Sequence, residues 1–86
     1  METPEEIRIK RLRIRAWRRG TKEMDLLLGN FIDARGQSLG PHSLDALEAL
    51  MEENDNDLYR WVSGQVPTPP QHEVIVQEIQ RFHAII

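Results

Sequence analysis

Met24, Leu27, Leu28, Phe31 and Ile32 fall at i, i+3, i+4, i+7 and i+8. That period places them on one stripe of an α-helix from about Thr21 to Ala34. Arg35-Gly36 then reads as a basic last turn followed by a glycine cap. Leu44, Leu47, Leu50 and Met51 predict a helix that starts at Gly40-Pro41, with the proline at its first position, and ends at Asn54. Leu58, Trp61 and Val62 share one face of a shorter helix, capped by Asp55 and closed by Gly64. Val66-Pro67-Thr68-Pro69-Pro70 is a stiff extended connector, because the residue before a proline is driven out of the helical region. Ile75, Ile79, Phe82 and Ile86 form the stripe of a last helix from about Gln71 to the C-terminus.

The first segment, about Glu5 to Arg19, has two patterns. Ile7-Arg8-Ile9 and Leu12-Arg13-Ile14-Arg15-Ala16 alternate like strands, but the parity slips at Lys10-Arg11, so no strand face is continuous. A helix places Ile9, Leu12 and Ala16 on one stripe, with Arg8, Arg11, Arg15 and Arg18 beside it. Pro4 suits a helix start. Glu5 and Glu6 suit the positive end of the helix dipole, and the arginines suit the other end. The expectation is an all-α fold, a compact bundle of five short helices. It forms a single domain over residues 1–86, with residues 1–5 and the last few frayed.

Composition narrows the class. Apolar residues are 40% and charged residues 29% of the 86, a balance that fits a globular domain rather than a disordered chain. The absence of cysteine excludes disulfides, thiolate metal sites and a cysteine nucleophile. No apolar run approaches the roughly 20 residues of a membrane span. The N-terminal residues lack the apolar core of a signal peptide, and their acidic residues argue against a transit peptide. A cytoplasmic protein is expected.

Charge is unevenly placed. Residues 1–22 carry eight Lys or Arg against three Asp or Glu, while residues 23–86 carry three against eleven. The net charge of −3 argues against a general nucleic-acid binder, although the basic first helix could hold phosphates and Trp17 could stack a base. The plainer reading is a solvated basic face with Trp17 in the core.

Chemistry-bearing constellations are scarce. His42, His72 and His83 are not spaced as metal ligands, and each is expected as a surface polar residue. No nucleophile motif or glycine-rich phosphate loop occurs. Tyr59 is expected half-buried. Asn54-Asp55-Asn56-Asp57 looks like the start of a calcium loop, but Arg60 stands where such a loop needs glycine. Helix capping accounts for these residues.

Arg19-Gly20-Thr21-Lys22-Glu23 lies at the charge boundary. Gly20 could be a backbone joint between two helices. Glu23 could stabilise the start of the second helix or pair with Arg19.

These residues also carry a family resemblance. Arg-Gly-x-x-Glu is the hallmark of the flavinator proteins, small assembly factors for succinate dehydrogenase flavinylation. The flanks are similar too: Arg18 before the motif, Asp25-Leu26-Leu27-Leu28 and Phe31 after it, then Asp55-Asn56-Asp57-Leu58-Tyr59-Arg60-Trp61, Gly64 and Pro67. The resemblance covers about Ile7 to Pro70 and looks like a bacterial member. It implies a five-helix, chaperone-like factor, not an enzyme. Such a factor binds the flavoprotein subunit of succinate dehydrogenase, and sometimes of fumarate reductase, and promotes covalent attachment of FAD to a histidine there. A monomer is expected, with no stably bound cofactor, no metal, and neither nucleic acid nor membrane as partner.

The partner-binding residues implied are Arg15, Arg18, Arg19, Gly20, Glu23 and Asp25. Arg19 would grip a carboxylate or carbonyl cluster bidentately. Gly20 would allow close approach, and Glu23 would accept hydrogen bonds from the partner. Arg15 and Arg18 would steer the encounter. Phe31, Leu58 and Trp61 are expected in the core.

Overall fold

The computed structural model describes residues 2–84. Five α-helices run through them: α1 (Pro4–Ala16), α2 (Lys22–Arg35), α3 (Pro41–Met51), α4 (Asp55–Val62) and α5 (Glu73–His83). Short 3-10 turns occupy Gly36–Ser38 and Pro70–His72, and no strand occurs among the described residues. The fold is all-α, as the periodicity predicts. Ile86, assigned to the last stripe, lies outside the described residues, as does the C-terminal end expected to fray. The chain groups into two units, one up to Leu39 and one from Gly40.

In the first unit, Thr3 caps α1, its Oγ1 accepting from the Glu6 N–H at 3.2 Å. Pro4 follows at the first helical position, with Glu5 and Glu6 in the first turn, an arrangement that satisfies free N–H groups and complements the dipole. Ile9, Leu12 and Ala16 are buried, as the helical stripe requires. The helix ends at Ala16 rather than Arg19. The Trp17 N–H still reaches Arg13 O, but the Arg18 N–H tightens onto Arg15 O, three residues back. Such tightening ends the α-helical ladder. Arg18 therefore stands beyond the helix.

α2 packs against α1 and buries Met24, Leu28, Phe31 and Ile32, while Leu27 is half-buried. Gly36 is not a left-handed cap. Its φ is −51°, and the chain continues into the 3-10 turn. Space explains the glycine: a β-carbon there would stand 3.1 Å from Ile32 Cγ1 and 3.2 Å from Ile9 Cγ2.

In the second unit, α5 packs against both α3 and α4. Leu44, Leu47, Leu50 and Met51 of α3, Leu58, Trp61 and Val62 of α4, and Ile75, Val76 and Ile79 of α5 are buried. Each such aliphatic side chain contributes about 1.5–3 kcal/mol by leaving water. α3 stops at Met51, before Asn54. Asn54 instead starts α4 and displaces Asp55 as its cap. It holds extended backbone, its Oδ1 accepts from the Asp57 N–H at 2.9 Å, and its Nδ2 donates to Asp57 Oδ2 at 2.9 Å.

Gly64 closes α4 with φ +79°. Its N–H reaches Trp61 O, and the Gln65 N–H reaches Arg60 O, the pair of bonds that a left-handed glycine makes possible at a helix end. Buried Gln80 adds a side-chain cap, donating from Nε2 to Trp61 O at 3.2 Å and to Val62 O at 3.1 Å.

Two further expectations fail in this unit. Tyr59 is exposed, because it points away from the face that carries Leu58 and Trp61. His72 is not a surface residue: it is 4% exposed. Its Nε2 lies 3.0 Å from Glu53 Oε2, and its ring sits 5.5 Å from the Trp61 ring. An aromatic neighbour and a carboxylate together allow a polar ring to be buried.

Candidate functional site

The segment from Trp17 to Asp25 joins α1 to α2, and its shape follows from a few local bonds. Gly20 has φ +106°, a conformation that side-chain-bearing residues rarely adopt. A β-carbon there would meet nothing within 4 Å, so the glycine is required by backbone angle and faces open space. Thr21 is extended and caps α2, its Oγ1 accepting from the Met24 N–H at 3.3 Å. A cap of this kind contributes about 1 kcal/mol. Asp25, one turn into α2, reaches back to the joint: its Oδ1 accepts the Arg19 N–H at 2.8 Å.

Trp17 fixes the other side. Its ring lies on α2 over Gly29, where a β-carbon would fall 2.3 Å from Cε2 and 2.4 Å from Cδ2. The indole Nε1–H donates to Asp33 Oδ2 at 3.1 Å. The other oxygen of Asp33 stands 2.8 Å from Arg13 Nε. Trp17 is half-buried rather than a core residue. Asp25, Gly29 and Asp33 are four residues apart, so they line one stripe of α2.

All six residues assigned to the partner surface lie in the first unit. Arg15 is exposed in the last turn of α1, Arg18 is exposed beyond it, and Glu23 is exposed in the first turn of α2. Arg19 and Asp25 are half-buried and joined by the backbone-to-carboxylate bond. Gly20 lies between these groups. Gly29 and Asp33 escaped the sequence reading. Their four-residue spacing from Asp25 is visible in the chain, but nothing in the sequence says that Trp17 closes onto them.

Among the described residues, no group of three or more His, Asp and Glu side chains is placed to hold a metal ion. Among these residues, too, no helix is long and apolar enough to cross a membrane.

The chain matches a protein-family model described as the flavinator of succinate dehydrogenase over residues 10–83. It is 36% identical over 64 residues to a protein of Acetobacter pasteurianus named FAD assembly factor SdhE, covering 74% of this chain and 59% of that one. It is 33% identical over 82 residues to the mitochondrial succinate dehydrogenase assembly factor 2 of Drosophila grimshawi, covering 93% and 56%. The Candida glabrata protein of the same name is 34% identical over 85 residues, covering 91% and 56%. The chain thus spans a little over half the length of these relatives. No solved structure gives a match.

Proposed function

The chain belongs to the flavinator of succinate dehydrogenase family, and from that membership we propose that it is an assembly factor for a flavoprotein. It binds the flavoprotein subunit of succinate dehydrogenase and promotes covalent attachment of FAD there. The observation that carries this reading is the family match over residues 10–83, which includes the Arg19–Glu23 motif at the joint of two helices.

The geometry fits a docking role. Arg15, Arg18 and Glu23 are exposed around a backbone turn at Gly20. The guanidinium groups suit planar recognition of carboxylates or carbonyls on the partner. Open space above Gly20 lets a partner backbone come close. Catalysis in this reading belongs to the flavoprotein's own groups. The factor holds that subunit in the conformation where acceptor histidine and flavin meet, and alignment of that kind supplies several kcal/mol of the barrier. It acts as a monomer in the cytoplasm and keeps no flavin of its own.

Trp17 supports this reading over nucleic-acid binding. The ring that would stack a base lies instead on Gly29, with its N–H taken by Asp33.

The test mixes the protein with apo-flavoprotein and FAD and reads covalent flavin by in-gel fluorescence. The expected result is a higher rate or yield of attachment, lost when the partner's acceptor histidine is replaced. No gain over flavoprotein and FAD alone would overturn the proposal.

A further inference from the structure

We propose that Asp25, Gly29 and Asp33 form a positioning track on α2 that holds the Arg18–Glu23 segment in its docking shape, with Trp17 as the anchor. The inference rests on the reading of that segment as the partner-binding surface.

The track touches the joint at two levels. Asp25 takes the backbone N–H of Arg19 itself. Two turns further on, Asp33 takes the indole N–H of Trp17, the residue next to Arg18, and pairs with Arg13 in α1. Gly29, midway, is the floor on which the indole lies. A glycine inside a helix is unfavourable relative to alanine, so its presence at this position needs a compensating contact. The indole supplies it: any side chain at position 29 would occupy the volume of the ring.

Both ends of the joint are therefore fixed before a partner arrives. A side chain at Gly20 would meet no atom of the chain, so packing at that position does not set the φ of +106°. Its neighbours hold it, and besides the Thr21 cap and the Arg18 N–H on Arg15 O these include Trp17 on one side and the Arg19–Asp25 bond on the other. A surface held in its bound form loses less freedom on association, so binding is tighter without any new contact. Asp25, Gly29 and Asp33 are positioning residues in this sense.

The test compares wild type, Gly29→Ala, Trp17→Phe, Trp17→Ala and the Trp17→Ala/Gly29→Ala double variant. Affinity for apo-flavoprotein is measured per folded molecule, with the folded fraction from circular dichroism, and exchange of the Arg19 amide is followed by NMR. Gly29→Ala is expected to keep its helix content, to bind roughly tenfold more weakly and to exchange the Arg19 amide faster. Trp17→Phe, which loses the indole N–H and part of the ring but keeps an aromatic face for Gly29, should shift both readouts in the same direction by less. Adding Gly29→Ala to Trp17→Ala should change neither readout further, because the ring that needs the space is gone. Wild-type affinity and unchanged amide exchange in both Gly29→Ala and Trp17→Phe would overturn the track while leaving the proposed function standing. A wild-type protein that fails to bind the flavoprotein would overturn both.

Discussion

The side-chain amide of Gln80 donates to the backbone carbonyl of Val62, the last residue of α4, at 3.1 Å. The same nitrogen also serves Trp61 O. Trp61 O also accepts the Gly64 N–H, whereas Val62 O stands at a helix end buried against another helix and takes its donor from the glutamine on α5. Replacing it with methionine keeps most of the volume and removes the donor. Gln80→Met is expected to lower the unfolding free energy by about 1–3 kcal/mol, the cost of leaving the buried Val62 carbonyl unpaired. Thermal or urea unfolding checks this. A variant as stable as wild type would mean that water reaches this carbonyl.

His72 and Glu53 form an unequal pair. The His72 side chain is 5% exposed and that of Glu53 is 39%. Solvent replaces much of what Glu53→Gln removes, so that change should cost under about 1 kcal/mol. His72→Ala removes a buried ring beside Trp61 and should cost more, about 2–4 kcal/mol. Unfolding midpoints separate the two, and the Trp61 environment gives a fluorescence change in the second variant alone. Equal losses would show that the contact with Glu53, not the packing of the ring, stabilises this corner.

Glu23 is exposed in the first turn of α2, so nothing in the core depends on it. Arg19→Ala and Glu23→Ala are expected to leave circular dichroism and melting nearly unchanged while lowering covalent flavin on the partner. Truncating a charged anchor in an interface costs about 2–5 kcal/mol of binding. A well-expressed double variant that supports normal flavinylation would remove the motif from the docking surface.

Gly20→Ala separates backbone from contact. The new methyl meets no atom of the chain, so any loss of stability comes from φ +106°, about 1–3 kcal/mol. If Gly20 also faces a partner, affinity per folded molecule should fall as well. Melting and binding on the same sample decide it: lower stability with full affinity would make Gly20 a joint and nothing more.

Much of this architecture was legible in the chain because the helices obey one period. Met24, Leu28, Phe31 and Ile32 are buried where the spacing puts them, as are Leu44, Leu47, Leu50 and Met51. What the period does not encode is how helices end. α1 stops at Ala16 because the Arg18 N–H turns back to Arg15 O, although the apolar stripe gives no sign of it. Asn54 takes the cap that Asp55 suits equally well by residue type, and backbone geometry chooses between them. The burial of His72 has no sign in the local sequence because it depends on Glu53, nineteen residues away, and on Trp61. The motif at residues 19–23 stands out in sequence, whereas its supports at Gly29 and Asp33 are visible only once Trp17 is seen lying across α2.

The indole of Trp17 and the missing side chain of residue 29 occupy the same space. Positions 17 and 29 therefore cannot drift separately as related sequences diverge. A lineage that acquires even a methyl group at 29 must first give up the tryptophan at 17, and one that regains the tryptophan must first restore glycine. The two sites should show correlated substitution, with large-and-absent exchanging for small-and-present. Within this family such a swap would mark where one way of bracing the joint was replaced by another.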